Sequence, residues 1–203
     1  MVARDPTATR RLILEVGQQE VYLHGFQGAP IDGILRRAGV TKGAFFHHFA
    51  SKTDFGYCLV DEVLAGMIAA QWVGPLRSPA DPLETIALEF ERGLEVLSAQ
   101  RPILGCPLNN LAQEMNPLDD GFRTRTSAVF DTWRSAFRAA LDRGRQTGVV
   151  RGDLDTTSAA HALMAQIEGI LSLARNSQDP GDLAVGALGL RGHLESMRPR
   201  RVT

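Results

Sequence analysis

The sequence predicts an all-α protein with a small N-terminal head of three helices and a larger C-terminal helical bundle. Helix-start signals recur along the 203 residues, and almost no segment alternates apolar and polar residues as a half-buried strand does. The composition, 44% hydrophobic and 22% charged, is that of a folded globular chain. We predict two domains, residues 1–52 and 53–203.

Capping signals locate three helix starts. Asp81-Pro82-Leu83-Glu84 combines an N-cap side chain, a proline at the first helical position and an acid in the first turn. Asp179-Pro180-Gly181-Asp182 repeats this arrangement, and Ser51-Lys52-Thr53-Asp54 has the cap and the acid without the proline. With the spacing of apolar residues, these signals predict nine helices, at about 7–24, 30–38, 42–48, 52–73, 83–99, 107–115, 119–147, 156–176 and 180–197.

Composition argues against several classes of protein. No apolar run approaches the roughly 18 residues of a membrane span, and no apolar stretch follows the charged N-terminus as in a secretory signal. We therefore expect a cytoplasmic protein with no membrane partner. Cys58 and Cys106 are too few for a disulfide framework and lack the paired spacing of zinc ligands, so we expect buried thiols and no cofactor. Redox sensing by Cys106 is the alternative.

Charge is distributed unevenly along the chain. The net charge of −1 gives no general attraction for nucleic acid. Residues 1–60 nevertheless hold seven Arg and Lys against five Asp and Glu, which leaves 15 against 18 in the remainder. A mildly basic head on an acidic body permits DNA binding by the head.

Residues 25–52 have the features of a helix-turn-helix. The second predicted helix has one apolar face, at positions i, i+3, i+4 and i+7, formed by Ile31, Ile34, Leu35 and Ala38. Gly39 follows directly, where a left-handed backbone conformation ends a helix at little steric cost. Thr41 then provides the side-chain cap of the third helix.

The third predicted helix begins with small residues, which let a backbone lie close to DNA. A recognition helix contacts base edges in the major groove with its N-terminal side chains, while flanking groups contact phosphates. We predict DNA contacts from Thr41, Lys42, Gly43, Phe45, Phe46, His47 and Lys52. A core position is the alternative for Phe45 and is favoured for Phe49, one turn later. Simple solvent exposure is the alternative for Lys52.

The same segment resembles the TetR/AcrR signature. The matching residues are Gly25-Phe26, Ile34, Ala38-Gly39-Val40-Thr41-Lys42-Gly43, Phe45-Phe46-His47-His48-Phe49 and Ser51-Lys52. The resemblance implies a transcriptional repressor that acts as a homodimer on palindromic operator DNA, with half-sites about one helical turn (10–10.5 bp) or a multiple apart. It also implies that the larger domain binds an unidentified small-molecule effector, which releases the DNA.

Some positions depart from the family pattern. Ala29-Pro30 replaces two hydroxyl residues that commonly cap the second helix and contact phosphate, and Phe46 replaces a tyrosine. Gly17 and Val21 replace an alanine and a larger aromatic residue in the first helix. Because a glycine in a helix interior costs roughly 1 kcal/mol relative to alanine, we expect a less stable head. Because hydroxyl groups that contact phosphate are missing at Ala29-Pro30 and Phe46, we also expect weaker DNA binding.

Apolar stripes at helical spacing mark the C-terminal domain, and by the resemblance their faces enclose the effector pocket. Core packing is the alternative for these stripes. The predicted ligand-binding residues are Phe90, Leu94, Cys106, Asn109, Asn110, Gln113, Trp133 and Phe137. The amides supply the polar contacts in this prediction, and for the two asparagines hydrogen bonding to the nearby backbone is an equal alternative.

The last two predicted helices also carry apolar faces. By the resemblance they pair with their copies in a four-helix dimer interface, with Gly169 and Gly186 allowing close approach. The predicted interface residues are Leu163, Ile167, Leu171, Leu183, Ala187 and Leu190. A monomer that buries these faces internally is the alternative.

An enzyme and a binding module are the two alternative functions for this sequence. An enzyme is not predicted, because candidate nucleophiles and bases occur only singly and the five histidines form no metal-binding pattern. A helical small-molecule-binding or scaffold module that has lost operator binding is the second alternative, favoured by Ala29, Phe46 and the low charge of the head. In the preferred mechanism, the effector shifts the 52–73 helix and so changes the separation of two recognition helices.

Overall fold

The computed structural model describes residues 5–200, which form nine helices and no strand. The helices are α1 (Pro6–His24), α2 (Ile31–Ala38), α3 (Lys42–His48), α4 (Lys52–Cys58 with its continuation to Val73), α5 (Pro82–Ser98), α6 (Pro107–Met115), α7 (Asp120–Gln146), α8 (Thr156–Ser177) and α9 (Pro180–Ser196). The predicted all-α fold is confirmed. The predicted helix ends agree with the observed ones to within one residue.

Short polar side chains cap the helices where the sequence placed them. Asp81 accepts hydrogen bonds from the backbone N–H groups of the first turn of α5, and Asp179 does the same for α9. Ser51 accepts from the N–H of Asp54 at 3.0 Å. The residue before α2 is Pro30, which makes no side-chain cap, as expected from the departure noted at that position. The local capping rules therefore account for where these helices begin.

The fourth helix changes its hydrogen-bonding pattern along its length. After Lys52–Cys58, it continues as a π-helical segment (Leu59–Leu64), a turn of α-helix (Ala65–Ile68) and a second π-helical segment (Ala69–Val73). Isolated π-helical turns inside α-helices occur frequently at functional sites. The pattern of apolar residues does not distinguish these two segments from ordinary α-helix.

The described chain divides into two compact units. One contains the residues up to Met67 together with Pro107–Val129, and the other contains Ile68–Cys106 with the residues from Phe130 onward. Two of the three divisions fall inside α4 and α7, and the third falls at the start of α6. They do not coincide with the functional boundary predicted at residues 52 and 53, which remains a prediction.

The core of the first unit is aromatic. Phe45, Phe49 and Phe55 are fully buried and lie within 5.6 Å of one another, measured between ring centroids. A second contact joins Phe26 to Phe122, with centroids 4.9 Å apart in an edge-to-face arrangement. The Phe45, Phe49 and Phe55 rings fix α3 to the start of α4, so the short third helix packs on a well-defined base.

The core of the second unit is built around two tryptophans. Trp72 stacks on Trp133 with ring centroids 5.3 Å apart, and Phe137 meets both rings edge-on. Within this unit α9 packs against α8 and against α5. Arg191 of α9 also pairs with Glu84 and Glu91 of α5.

One helix of the described chain, Lys52–Arg77, is long and apolar enough to cross a membrane by length and composition alone. Two of its carboxylates have partners within the first unit. Asp61 pairs with Arg125 at 3.0 Å, and Glu62 pairs with Arg10 at 2.5 Å. A core helix of a globular domain passes the same test of length and composition. Carboxylates that form ion pairs with arginines of the same unit are typical of such a helix.

Candidate nucleic-acid interface and ligand-binding residues

The turn between α2 and α3 has the predicted geometry. Gly39 has φ +61° and ψ +39°, the left-handed conformation that ends a helix. The N–H of Val40 donates to the carbonyl oxygen of Leu35 at 3.1 Å, which satisfies a carbonyl at the end of α2. A Cβ at Gly39 would have no neighbour within 4 Å, so the glycine is required by backbone conformation and not by space.

The N-terminal part of α3 presents one exposed surface. Thr41 caps the helix by accepting a hydrogen bond from the N–H of Ala44 at 3.2 Å. The exposed residues that we call the recognition surface are Thr41, Lys42, Gly43, Phe46 and His47. The Phe46 side chain is 44% exposed, which is unusual for a large apolar residue. A base or phosphate contact from each of these residues remains a prediction.

Phe45 lies on the opposite side of α3 from this surface. It is fully buried, with its ring centroid 5.2 Å from that of Phe49 and 5.6 Å from that of Phe55. A side chain in this position cannot reach a DNA duplex without unpacking the head. Phe45 is therefore a core residue, as the alternative interpretation held, and we remove it from the predicted DNA contacts.

Lys52 is half-buried and has partners within the head. Its Nζ donates to the carbonyl oxygen of Gln27 at 3.2 Å and lies 5.1 Å from the centre of the Phe26 ring. Burial lowers the pKa of this ammonium group. Lys52 therefore stabilises the segment between α1 and α2, and its predicted phosphate contact remains a prediction.

Glu114 of α6 is a functional candidate that the sequence analysis missed. Its carboxylate accepts hydrogen bonds from the backbone N–H of Phe26 at 2.7 Å and of Gln27 at 2.8 Å. Gly25 has φ +78°, and a Cβ there would lie 3.0 Å from Glu114 Oε2. A carboxylate in the last turn of a short helix is poorly matched to the helix dipole, which is the signal that could have indicated an external donor.

Two basic residues of the head are held in ion pairs inside it. Both terminal nitrogens of Arg10 in α1 donate hydrogen bonds to the carboxylate of Glu62 in α4, at 2.5 and 2.6 Å. These bonds raise the pKa of the guanidinium group. Arg37 of α2 pairs with Glu20, a buried carboxylate of α1. These pairs join α1 to its neighbours, so part of the positive charge counted in the head has a structural role.

The predicted ligand-binding residues fall into both compact units. The second unit contains Phe90, Leu94, Cys106, Trp133 and Phe137, all of them buried. The first unit contains three residues of α6: Asn109 and Asn110 are half-buried, and Gln113 is exposed. Trp133 and Phe137 are the best-defined members of the set, because they pack on each other and on Trp72. We call these three residues the aromatic cluster. A ligand contact from any member of the predicted set stays a prediction.

Most of the residues predicted for the dimer interface lie in the core of the protomer itself. Of that set, Leu163, Ile167, Leu171, Leu183 and Leu190 are buried, and Ala187 is partly exposed. A Cβ at Gly186 would overlap the side chain of Ile170, so this glycine allows α8 and α9 to approach each other within one chain. The prediction is therefore corrected for the five buried residues: the large apolar residues that α8 and α9 leave exposed are Leu173, Val185 and Leu188.

Comparison with known proteins identifies two family models in the chain. "Bacterial regulatory proteins, tetR family" matches residues 13–55, and "Tetracyclin repressor-like, C-terminal domain" matches residues 82–187. The HTH-type transcriptional repressor DhaR of Mycobacterium sp. (strain GP1) is 28% identical over 165 residues, which is 81% of each chain. The transcriptional regulator AcuR of Cereibacter sphaeroides is 27% identical over 184 residues, covering 89% of this chain and 83% of AcuR.

Solved structures agree with this grouping. The regulatory protein TetR from Rhodobacter sphaeroides superimposes with a TM-score of 0.81 at 26% identity, covering 90% of this chain and 97% of that one. The reduced form of E. coli NemR gives a TM-score of 0.84 at 23% identity, covering 96% and 100% of the two chains, and this likeness concerns the fold alone.

Proposed function

This chain belongs to the TetR family of bacterial transcriptional regulators, and from that premise we propose that it is a cytoplasmic, ligand-released repressor that binds a palindromic operator as a homodimer. The recognition surface of α3 is the observation that carries the proposal. We propose no catalytic activity for the chain, since its relatives are transcriptional regulators.

The geometry of α3 supports insertion into a major groove. Lys42 and Gly43 form the exposed first turn, so a long cationic side chain stands next to a position without a side chain. The buried Phe45 anchors the same turn to the aromatic core. A recognition helix needs this combination, because side chains contact base edges productively only when the helix behind them is held in a fixed orientation.

Selection from a pool of random duplexes tests operator binding. We expect the purified protein to enrich a palindromic consensus, because a two-fold symmetric dimer contacts two half-sites. Lys42→Ala should lose this enrichment or alter the consensus in both half-sites. Arg92→Ala, which removes one exposed positive charge from α5 in the other compact unit, is the matched control and should select the same sequence as the parent protein. No enrichment by the parent protein at low salt would contradict the proposal.

The exposed face of α8 and α9 supports the homodimer. Leu173, Val185 and Leu188 are 63%, 70% and 73% exposed, far more than is usual for such side chains. A Cβ at Gly169 would have no neighbour within 4 Å, so this face also has an open position at which a second backbone can approach. We propose that a second copy of the chain covers this face, in place of the residue set predicted from the sequence.

The substitution Leu188→Glu tests this interface. We expect a monomer, or a dimer at least tenfold weaker, because two buried carboxylates would face each other across the two-fold axis without partners. Light scattering coupled to size-exclusion chromatography measures the mass directly. Val96→Glu is the matched control, since Val96 of α5 is 64% exposed and lies outside the proposed interface. A dimer unaffected by Leu188→Glu and broken by Val96→Glu would place the interface elsewhere.

We propose that α4 links the effector to the DNA. The helix starts at Lys52 in the head, and its second π-helical segment carries Trp72 of the aromatic cluster. A ligand that repacks this cluster would move α4, and the two recognition helices would then no longer match the spacing of the half-sites. An effector that releases DNA while the distance between spin labels near Lys42 of the two subunits stays constant would exclude this mechanism.

A further inference from the structure

We infer that the effector is a neutral, largely apolar molecule with a carbonyl-type oxygen, and that this oxygen accepts a hydrogen bond from the indole N–H of Trp133. The inference rests on the proposed function, because it specifies the ligand class for a protein that we propose is released from DNA by a small molecule.

The indole N–H of Trp133 is a buried donor that has no acceptor among residues 5–200. The residue is 1% exposed, and among the described residues no atom accepts a hydrogen bond from Nε1. Burying such a donor without an acceptor is unfavourable, and buried tryptophans usually place their N–H against a partner. The energy is recovered when an acceptor from another molecule occupies this position.

The surroundings of Trp133 define the rest of the ligand. The Trp72 ring stacks on Trp133 with an angle of 22° between planes, and Phe137 meets it edge-on with centroids 5.9 Å apart. Phe130 adds a third ring, with its centroid 6.4 Å away. Because aromatic rings surround the indole, apolar surface on the ligand makes favourable contacts, and the N–H supplies the one polar contact that fixes its orientation.

The charges of the chain favour a neutral ligand over an ionic one. No lysine or arginine of residues 5–200 is buried, so a carboxylate or phosphate next to Trp133 would lack a buried cation to compensate it. A cationic group cannot be the hydrogen-bond partner of the indole N–H, because both groups are donors. A carbonyl oxygen has lone pairs, carries no proton and needs no counter-ion, which makes it the acceptor that fits.

Contact with Trp133 also affects α4. Trp72 stacks directly on the proposed ligand-binding ring, and it belongs to the π-helical segment Ala69–Val73. A hydrogen bond that reorients the Trp133 ring therefore changes the packing of the end of α4. This connects the same hydrogen bond to DNA release.

Proton NMR of the indole groups tests the inference, since the chain contains two tryptophans. In ¹⁵N-labelled protein, Trp72→Phe removes one indole signal and leaves that of Trp133. We expect acetophenone to move the Trp133 signal downfield. α-Methylstyrene has the same shape with CH₂ in place of the oxygen, and we expect it to bind at least tenfold more weakly without that shift. In Trp133→Phe, which keeps an aromatic ring in the core, acetophenone and α-methylstyrene should bind with equal affinity.

Three results would overturn the inference. A Trp133 indole proton that exchanges with bulk water and does not respond to acetophenone, cyclohexanone or ethyl benzoate would show that water is its partner. An upfield signal with no response would show donation to the face of the Phe137 ring. Tight binding of benzoate with no binding of ethyl benzoate would show an anionic ligand. Operator affinity measured on the same samples separates a failure of this inference from a failure of the proposed function.

Discussion

Replacing Gly17 with alanine is expected to lower the free energy of unfolding by about 1–3 kcal/mol, although alanine is the better helix former. A Cβ at Gly17 would overlap the Cζ atom of Phe55 and lie 2.9 Å from its Cε2 atom. The Phe55 ring is fully buried between Phe45 and Phe49, so it cannot move aside without displacing them. Urea denaturation followed by circular dichroism measures the change.

Gly66→Ala is the matched control for this substitution. Gly66 is an exposed residue inside α4, and a Cβ there would have no neighbour within 4 Å. Alanine should therefore raise the free energy of unfolding by up to about 1 kcal/mol through helix propensity alone. If both alanine variants were more stable than the parent protein, the close packing of Phe55 on α1 would be refuted.

Replacing Glu114 with alanine is expected to cost about 1.5–3 kcal/mol of stability and to weaken operator binding. The substitution removes two charge-assisted hydrogen bonds to the N–H groups of Phe26 and Gln27, of which the first is partly buried. These N–H groups belong to the segment that leads into α2. If this segment loses its fixed conformation, α2 and the recognition helix α3 are held less firmly for DNA binding. Denaturation and fluorescence anisotropy with labelled operator give the two quantities.

Two further variants make the Glu114 result specific. Glu114→Gln keeps one acceptor oxygen and should show a smaller loss of both stability and affinity. Glu15→Ala removes an exposed carboxylate of α1 whose contact with Arg11 is 3.5 Å long, and it should change stability by less than about 0.5 kcal/mol. Equal effects of Glu114→Ala and Glu15→Ala would mean that the bonds to Phe26 and Gln27 contribute nothing.

The helices were predictable from sequence because the signals that define them are local. Asp81-Pro82 and Asp179-Pro180 satisfy or remove the free N–H groups of their own helices, and Gly39 ends α2 through its own backbone conformation. Such signals act over a few residues and do not depend on the rest of the fold. The turn before α3 and the cap at Thr41 were predicted for the same reason.

The functional roles of individual residues depended on contacts that are distant in sequence. The loss of stability predicted for Gly17 rests on helix propensity alone. It does not take into account the Phe55 ring, 38 positions later, for which the glycine leaves room. Lys52 was assigned to phosphate, but Gln27 and Phe26 provide it with partners inside the head. Nothing in a local pattern specifies such pairs.

The proposed dimer face shows a different limit of sequence reasoning. The helix α9 carries apolar residues on more than one side, and periodicity does not tell which side the protomer itself covers. The structure buries Leu183 and Leu190 and leaves Val185 and Leu188 exposed. Five of the six predicted residues therefore lie in the core, and periodicity alone does not single out the exposed pair.

The affinity of the protein for its selected palindrome, compared with a scrambled duplex of equal composition, tests the central claim most directly. At about 0.15 M salt we expect a ratio of at least about 10³ in favour of the palindrome, a steep loss of affinity as salt rises, and weaker binding of a single half-site. Equal affinity for palindrome and scrambled duplex would contradict sequence-specific recognition by α3. The chain would then be a helical small-molecule-binding module on the same fold.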